Sequence, residues 1–376
     1  MNAALYIHIP FCREKCPYCD FYSLTLCDII PDFIRSLEKE MEYYAGIWGT
    51  EYEFSTVYFG GGTPSLLTPD QIGFILDQLY HFFSIAHDAE ITLEANPGTV
   101  FAEHVKGYRQ VGINRLSLGI QSFVDPELLI LGRIHTAEQA EQAIEMAFEA
   151  GFQQVGFDLI FGIPGQSKKS WYYNLEQAVK YKPAHLSVYG LTYESGTEFE
   201  KRLHAGKILR VEEGVERRMF LDAQTILTRH GYCQYELSNY ARPGCRSRHN
   251  QIYWTGGAYL GLGPGAHSFI PPDKRCWSKP DVHLYMSELN CHGRPLIETE
   301  HLNTRQQLME FIMLSLRRRE GLSLSKWQEI AGTDFLSQFE SVITWLGIDT
   351  GAEPFQAQKS RKHFTLHSNQ LSLTAQ

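Results

Sequence analysis

Leu5-Tyr-Ile-His-Ile-Pro-Phe-Cys12-Arg-Glu-Lys-Cys16-Pro-Tyr-Cys19-Asp-Phe21 joins a short apolar run, Leu5 to Ile9, to three cysteines spaced C-x-x-x-C-x-x-C. The run reads as a buried strand and the cysteines as the loop that leaves it. Three thiolates on one tight loop can hold three irons of a cubane 4Fe-4S cluster and leave the fourth iron open to an outside ligand. Two alternatives use the same residues differently. A structural zinc site wants four protein ligands, usually from two paired clusters, and no second C-x-x-C follows downstream. A disulfide framework would need the remaining cysteines, Cys27, Cys233, Cys245, Cys276 and Cys291, in a regular spacing, and they are scattered. The opening residues lack the order of a signal peptide, so a cytoplasmic setting is expected.

Outward from this segment, strand-like runs recur at Val57 to Phe59, Ile91 to Glu94, Arg115 to Gly119, Gln154 to Phe161 and His185 to Tyr189. Helical patterns alternate with them near Pro31 to Tyr44, Pro69 to Phe83, Phe101 to Gln110, Thr136 to Ala150 and Ser170 to Tyr181, with a further one near Val211 to Arg229. Repeated strand-helix order builds a parallel sheet, and six such units predict an α/β fold, a complete or incomplete barrel. Ligands gather at the carboxyl ends of such strands, the end from which the cysteine loop departs.

The other strand ends are then read for polar groups. Gly60-Gly-Gly-Thr-Pro-Ser65 follows the second run, where absent side chains let a ligand approach the backbone. The third ends in Leu93-Glu94-Ala-Asn-Pro-Gly98, the fourth in Gly119-Ile-Gln121-Ser122, and the fifth carries Asp158 before Gly162-Ile-Pro-Gly-Gln166. A polar ligand lying across a barrel mouth requires such groups. A hydrogen-bonded structural residue is the alternative at each position.

Composition sets the remaining bounds. A chain of 376 residues, 43% of them hydrophobic, can bury one large core and a smaller one. The division expected is a core barrel at 1–240, a connecting segment at 241–298 and a C-terminal domain at 299–376. A net charge of -9, with no basic block longer than Arg317-Arg318-Arg319, speaks against a nucleic-acid partner, and that triplet reads as the solvated end of a helix. No apolar run is long enough for a transmembrane segment. In the tail, Leu308, Phe311, Ile312 and Leu316 recur at helical spacing, as do Phe339, Val342, Ile343 and Leu346 within Phe335 to Leu346. Phe364-Thr-Leu-His and Gln370-Leu-Ser-Leu-Thr alternate like a terminal hairpin.

Taken together in order and spacing, the cysteine segment, Gly61-Gly62-Thr63, Glu94, Gln121, Arg133 and Asp158 resemble the radical S-adenosylmethionine superfamily. More narrowly they resemble the branch of oxygen-independent coproporphyrinogen III oxidase and the HemW heme chaperones. The resemblance implies an incomplete (βα)6 TIM-like barrel with a smaller, mainly helical C-terminal domain. It also implies a 4Fe-4S cluster held by Cys12, Cys16 and Cys19, whose open iron chelates S-adenosylmethionine. Tyr6, Gly61 and Glu94 would contact that molecule, while Tyr18, Gly62, Thr63, Gln121, Arg133 and Asp158 match positions that surround a second one in the oxidase. An electron donor to the cluster is implied as a partner, and no residue is singled out as catalytic.

Three details bear on the choice within the branch. The oxidase carries a further cysteine two places after the third cluster ligand, where this chain has Phe21. Only four residues precede Leu5, so the oxidase's long N-terminal extension is expected to be absent. His249-Asn-Gln-Ile-Tyr253-Trp254 matches the H-N-x-x-Y-W motif that accompanies heme binding among the chaperones. An imidazole is a common axial ligand of heme iron, aromatic rings can pack on the macrocycle, and Arg242, Arg246 and Arg248 could meet its propionates. A hydrogen-bonded structural histidine is the alternative for His249. The Gly-rich run from Gly256 to Ser268 reads as a loop closing the barrel mouth; its His267 could ligate, but a core or loop histidine is the first reading. The function expected is that of a heme chaperone delivering heme to an acceptor hemoprotein, with oxidase-type decarboxylation as the alternative.

Overall fold

The computed structural model describes residues 1–49, 51–346, 364–367 and 370–373. Six parallel strands, β1 (Asn2–Ile9), β2 (Glu53–Gly61), β3 (Ser84–Ala95), β4 (Arg115–Gln121), β5 (Gln154–Phe161) and β6 (His185–Gly190), pair in chain order. The helices Ile30–Trp48, Pro69–Phe82, Ala102–Gln110, Ala137–Glu149, Lys168–Lys180 and Glu213–Arg229 lie between and after them. The first helix shows why: Phe33, Leu37, Met41, Tyr44 and Trp48 recur on one face and are buried against the sheet. Pro69–Phe82 and Ala137–Glu149 start at Thr68 and Thr136, each in a reciprocal capping box with Gln71 or Gln139.

The sheet continues beyond these six and does not close. Beside β6 lie the short antiparallel strands β8 (Asn239–Ala241) and β7 (Cys233–Gln234). At the other edge β9 (Ala258–Leu262) runs parallel to β1, followed outward by antiparallel β10 (His267–Ile270), β11 (Lys274–Ser278) and β12 (Ile297–His301). The twelve strands therefore form an open, incomplete barrel with an antiparallel extension.

The run from Gly256 to Ser268 is not a loop: most of it is β9 and the turn into β10. Its glycines meet a packing requirement, since a Cβ on Gly261 would lie 2.2 Å from the His267 carbonyl oxygen and one on Gly263 2.6 Å from that of His8.

The C-terminal part holds the helices Thr304–Arg317, Leu324–Ala331, Phe335–Gln338 and Glu340–Leu346 around buried Leu322, Trp327, Phe335 and Ile343. The single helix expected over Phe335 to Leu346 is thus broken at Phe339, and the basic triplet starts at a helix end but is not the solvated face expected, since Arg317 and Arg318 are half-buried and Arg317 pairs with buried Glu236. A small sheet orders β13 (Leu322–Ser323), β15 (Gln370–Leu373) and β14 (Phe364–His367), the last two antiparallel as the expected hairpin requires. Thr374, the end of that expected run, lies outside the described residues. Among the described residues no helix is long and apolar enough to cross a membrane.

Candidate functional site

Successive side chains of a strand face opposite sides of the sheet, and in β3 to β6 the two sides differ in chemistry. Leu93, Leu118, Phe157 and Val188 are buried in the hydrophobic core, whereas Thr92, Glu94, Ser117, Asp158, Ser187 and Tyr189 face the lumen. Barrels filled with branched apolar side chains have no lumen to speak of. This polar lining leaves a cavity of about 730 Å³. That is the size of a small-molecule site.

Most of the residues picked out by sequence come together there. Tyr18, Cys19, Gly61, Gly62, Thr63, Glu94, Gln121, Arg133 and Asp158 all line the cavity. Tyr6 lies in the β1 wall, its hydroxyl 3.2 Å from His8 Nδ1 and its ring stacked on Tyr58. Tyr58 donates to Glu94 at 2.7 Å. Burial pushes the Glu94 carboxyl up to about 7 against the pull of that hydroxyl, and Asp158 pushes it the same way. Asp158 is likewise raised by burial, held back by hydroxyls of Ser187 and Ser117. Gln121, at an irregularity of β4, has a φ of 65°, a left-handed conformation uncommon outside glycine.

The glycine turn after β2 clamps the cysteine loop. Gly62 N–H donates to the Ile9 carbonyl at 2.9 Å and Thr63 N–H to that of Phe11 at 2.7 Å. A Cβ on Gly62 would stand 2.5 Å from Phe11 O, so only glycine allows this approach.

All eight cysteines are free thiols. The Thr63 hydroxyl lies 3.4 Å from Cys12 Sγ, and Arg133 Nη1 lies 3.4 Å from Cys16 Sγ. Burial pushes the Cys19 thiol up to about 11, and the Cys16 and Cys12 sulfurs beside it act in the same direction. Among the described residues no three His, Cys, Asp or Glu side chains converge as the ligands of one metal ion. A cubane asks for something else, one thiolate on each of three irons, and N–H or O–H donors aimed at the sulfurs suit it. The donor set fits such a cluster. Arg133 Nε, buried and without a hydrogen-bond partner among the described residues, leaves a donor for a carboxylate of a ligand in the cavity.

His249 stands apart. Its helix, Arg248–Trp254, packs against β1, β2 and β9, and the imidazole is 1% exposed. Nδ1 is hydrogen bonded to Thr56 Oγ1 and Nε2 to the Tyr253 hydroxyl, both at 2.8 Å, with Tyr58 stacked on the ring at 4.8 Å. Burial lowers its pKa to about 3. Glu90 holds the start of this helix, accepting from the backbone N–H groups of Arg248 and His249 at 3.1 Å. The arginines around the motif are also engaged: Arg246 with Glu320, Arg248 with Asp88, and Arg242 over the Tyr232 ring.

Two cations of the cavity lining escaped the sequence reading. Arg115, on the inner face of β4, is buried and paired with Glu90 at 3.6 Å. Its strand position, two residues from Ser117, was the available signal. Arg317, from the C-terminal helix Thr304–Arg317, reaches the cavity by pairing with Glu236 at 2.6 Å and lying over the Trp254 ring at 4.3 Å. Nothing local in the sequence links it to the site.

Comparison with known proteins agrees with this architecture. A profile of the radical SAM superfamily matches residues 6–178. Proteins named heme chaperone HemW are 36% identical in Synechocystis, covering 89% of this chain and 82% of that one, and 33% identical in Bacillus subtilis, covering 90% and 89%. The Escherichia coli protein of that name is 37% identical, covering 84% and 83%. Among solved structures, coproporphyrinogen III oxidase of Escherichia coli, a radical SAM enzyme, has a TM-score of 0.83 at 22% identity, over 99% of this chain and 86% of that one. That likeness shows a shared fold. The extent of the identity to the chaperones, on a barrel whose strand ends carry these cysteines and polar groups, means that the chain belongs to the HemW family of the radical SAM superfamily.

Proposed function

We propose that this protein is a heme chaperone, one that binds heme and passes it to an acceptor hemoprotein. The observation that carries the reading is the 33–37% identity to proteins named heme chaperone, extending over more than four-fifths of their length. The H-N-x-x-Y-W helix packed into the same barrel supports it, as does Phe21 at the cavity rim, 60% exposed, where the resemblance gives the oxidase a cysteine.

In this reading Cys12, Cys16 and Cys19 hold a 4Fe-4S cluster, which when bound supplies the electron for reductive cleavage of S-adenosylmethionine. The chain's own residues do the rest. Arg133, with its unpartnered Nε, orients a carboxylate in the cavity, and Glu94 accepts hydrogen bonds from ribose hydroxyls. Tyr58 fixes Glu94 from behind, with Tyr6 stacked on it. Tyr18, Gly61, Gly62, Thr63, Gln121 and Asp158 complete the lining. We assign the work to the cytoplasm, where unbridged cysteines persist, with an electron donor feeding the cluster.

The test is an anaerobic titration of the reconstituted protein with heme, followed by its Soret absorption, beside a coproporphyrinogen conversion assay on the same sample. Saturable binding without conversion is expected. Conversion to protoporphyrinogen would make the protein an oxidase instead.

A further inference from the structure

Heme iron needs an imidazole nitrogen with a free lone pair, and His249 has none to offer while Thr56 and Tyr253 occupy both of its nitrogens. From that buried histidine, however, aromatic rings lead outward. Tyr253 meets His249 edge-on at 4.9 Å, Tyr259 meets Tyr253 at 4.7 Å, and Phe269 lies 6.2 Å from Tyr259. Phe269 is opposite Arg275 across the β10–β11 ladder, and one pair further along, on the same face, His267 is opposite Trp277. The outermost pair is stacked, ring centroids 5.7 Å apart and planes 19° from parallel.

His267 differs from His249 in each respect that matters to a metal. It is exposed, and among the described residues its ring makes no hydrogen bond. Partial burial of the ring and the nearby Arg275 lower its pKa, which favours the neutral imidazole. β10 begins at the end of the barrel where the cysteine loop lies: a Cβ on Gly265 would stand 3.6 Å from that of Tyr22, the residue after Phe21. Beyond Trp277, exposed Lys279 pairs with Glu298 at 3.5 Å, a cation suited to a propionate.

We infer that His267 is the axial ligand of heme in this protein, with Trp277 stacked on the imidazole to fix the plane of its ring and the H-N-x-x-Y-W helix as the inner support of the aromatic row. This rests on the heme-chaperone reading above. The bond formed is a dative one from the imidazole lone pair to the open axial position of iron. No proton or electron is exchanged.

The experiment titrates cluster-reconstituted protein anaerobically with iron(III) protoporphyrin IX, reading Soret position and electron paramagnetic resonance, and separately with metal-free protoporphyrin IX. In His267→Ala the iron porphyrin should lose the histidine-ligand signature and at least about tenfold in affinity, while metal-free protoporphyrin binds as before. His267→Gln should behave alike, and unchanged cluster absorption verifies folding in both. His249→Ala should weaken both porphyrins together and keep the ligand signature. If His267→Ala keeps wild-type spectrum and affinity, or if it loses both porphyrins equally, His267 is not the ligand. Failure of the wild-type protein to bind heme at all would instead overturn the chaperone reading.

Discussion

Arg133 bridges the cysteine loop and β4, with Nη1 3.4 Å from Cys16 Sγ and Nη2 donating to the Gly119 carbonyl at 3.0 Å. Burial opposes its charge, yet the Tyr18 hydroxyl and the Cys16 thiol beside it keep its pKa above the ordinary value. A fixed fork of this kind reads a carboxylate in a way that a lysine cannot. Arg133→Lys should therefore retain the cluster but lose about tenfold in S-adenosylmethionine affinity, on the scale of one charge-assisted hydrogen bond. Equilibrium dialysis on the reconstituted variant checks this, and unchanged affinity would remove Arg133 from the site.

Replacing Cys12, Cys16 and Cys19 together by Ala should abolish iron-sulfur absorption after anaerobic reconstitution. Cys27→Ser is the informative control. Its thiol lies 3.9 Å from the Cys12 carbonyl oxygen, close to the loop but outside the triplet, and this variant should take up iron and sulfide like the parent. Cluster retention in the triple variant would disprove the assignment.

Two glycines should respond oppositely to alanine. At Gly62 a Cβ meets the Phe11 and Ile9 carbonyl oxygens at 2.5 and 2.9 Å, so Gly62→Ala must displace the cysteine loop and lower both cluster content and melting temperature. Gly46, exposed in the helix Ile30–Trp48, has nothing within 4 Å of its added Cβ. Gly46→Ala should stabilise the fold by about 0.5–1 kcal/mol, the cost of an interior helical glycine. Thermal unfolding of both variants against the parent decides.

Glu40 is fully enclosed, accepting from the Tyr285 hydroxyl at 2.6 Å and from the Gly263 N–H at 2.7 Å. Burial nevertheless raises its pKa from 4.5 to about 7. Between those values the folded chain holds a proton that the unfolded chain has released, so stability falls as pH rises through the window and levels off above about 7. The full effect is on the order of 3 kcal/mol. Glu40→Gln should flatten the slope. Urea denaturation at pH 5, 6, 7 and 8 measures it, and an equal slope in parent and variant would show that Glu40 does not titrate in this range.

The six-unit barrel was legible because its strands and helices are long and strongly patterned; Gln154–Phe161 was read to the residue. The eight lumen residues carried by the resemblance lie along one cavity because strand ends converge by topology. What escaped depends on contacts remote in sequence. β9 is a strand because β1 pairs with it, although its composition suggests a turn. β7 and β8 are only two and three residues long, too short for a periodicity. His249 reads as a ligand by motif, but the occupants of its nitrogens include Thr56, far away on β2. Arg317 enters the site only because a distant helix packs there.

The division of β3 to β6 into an apolar outer side and a polar inner side separates two demands that evolution usually has to meet with the same residues. Cohesion comes from the contacts between sheet and helices, so exchanging one lumen side chain for another removes little of it. The coproporphyrinogen III oxidase structure and this chain share such a scaffold at 22% identity. A barrel wall of this design is a stable frame with an interchangeable interior.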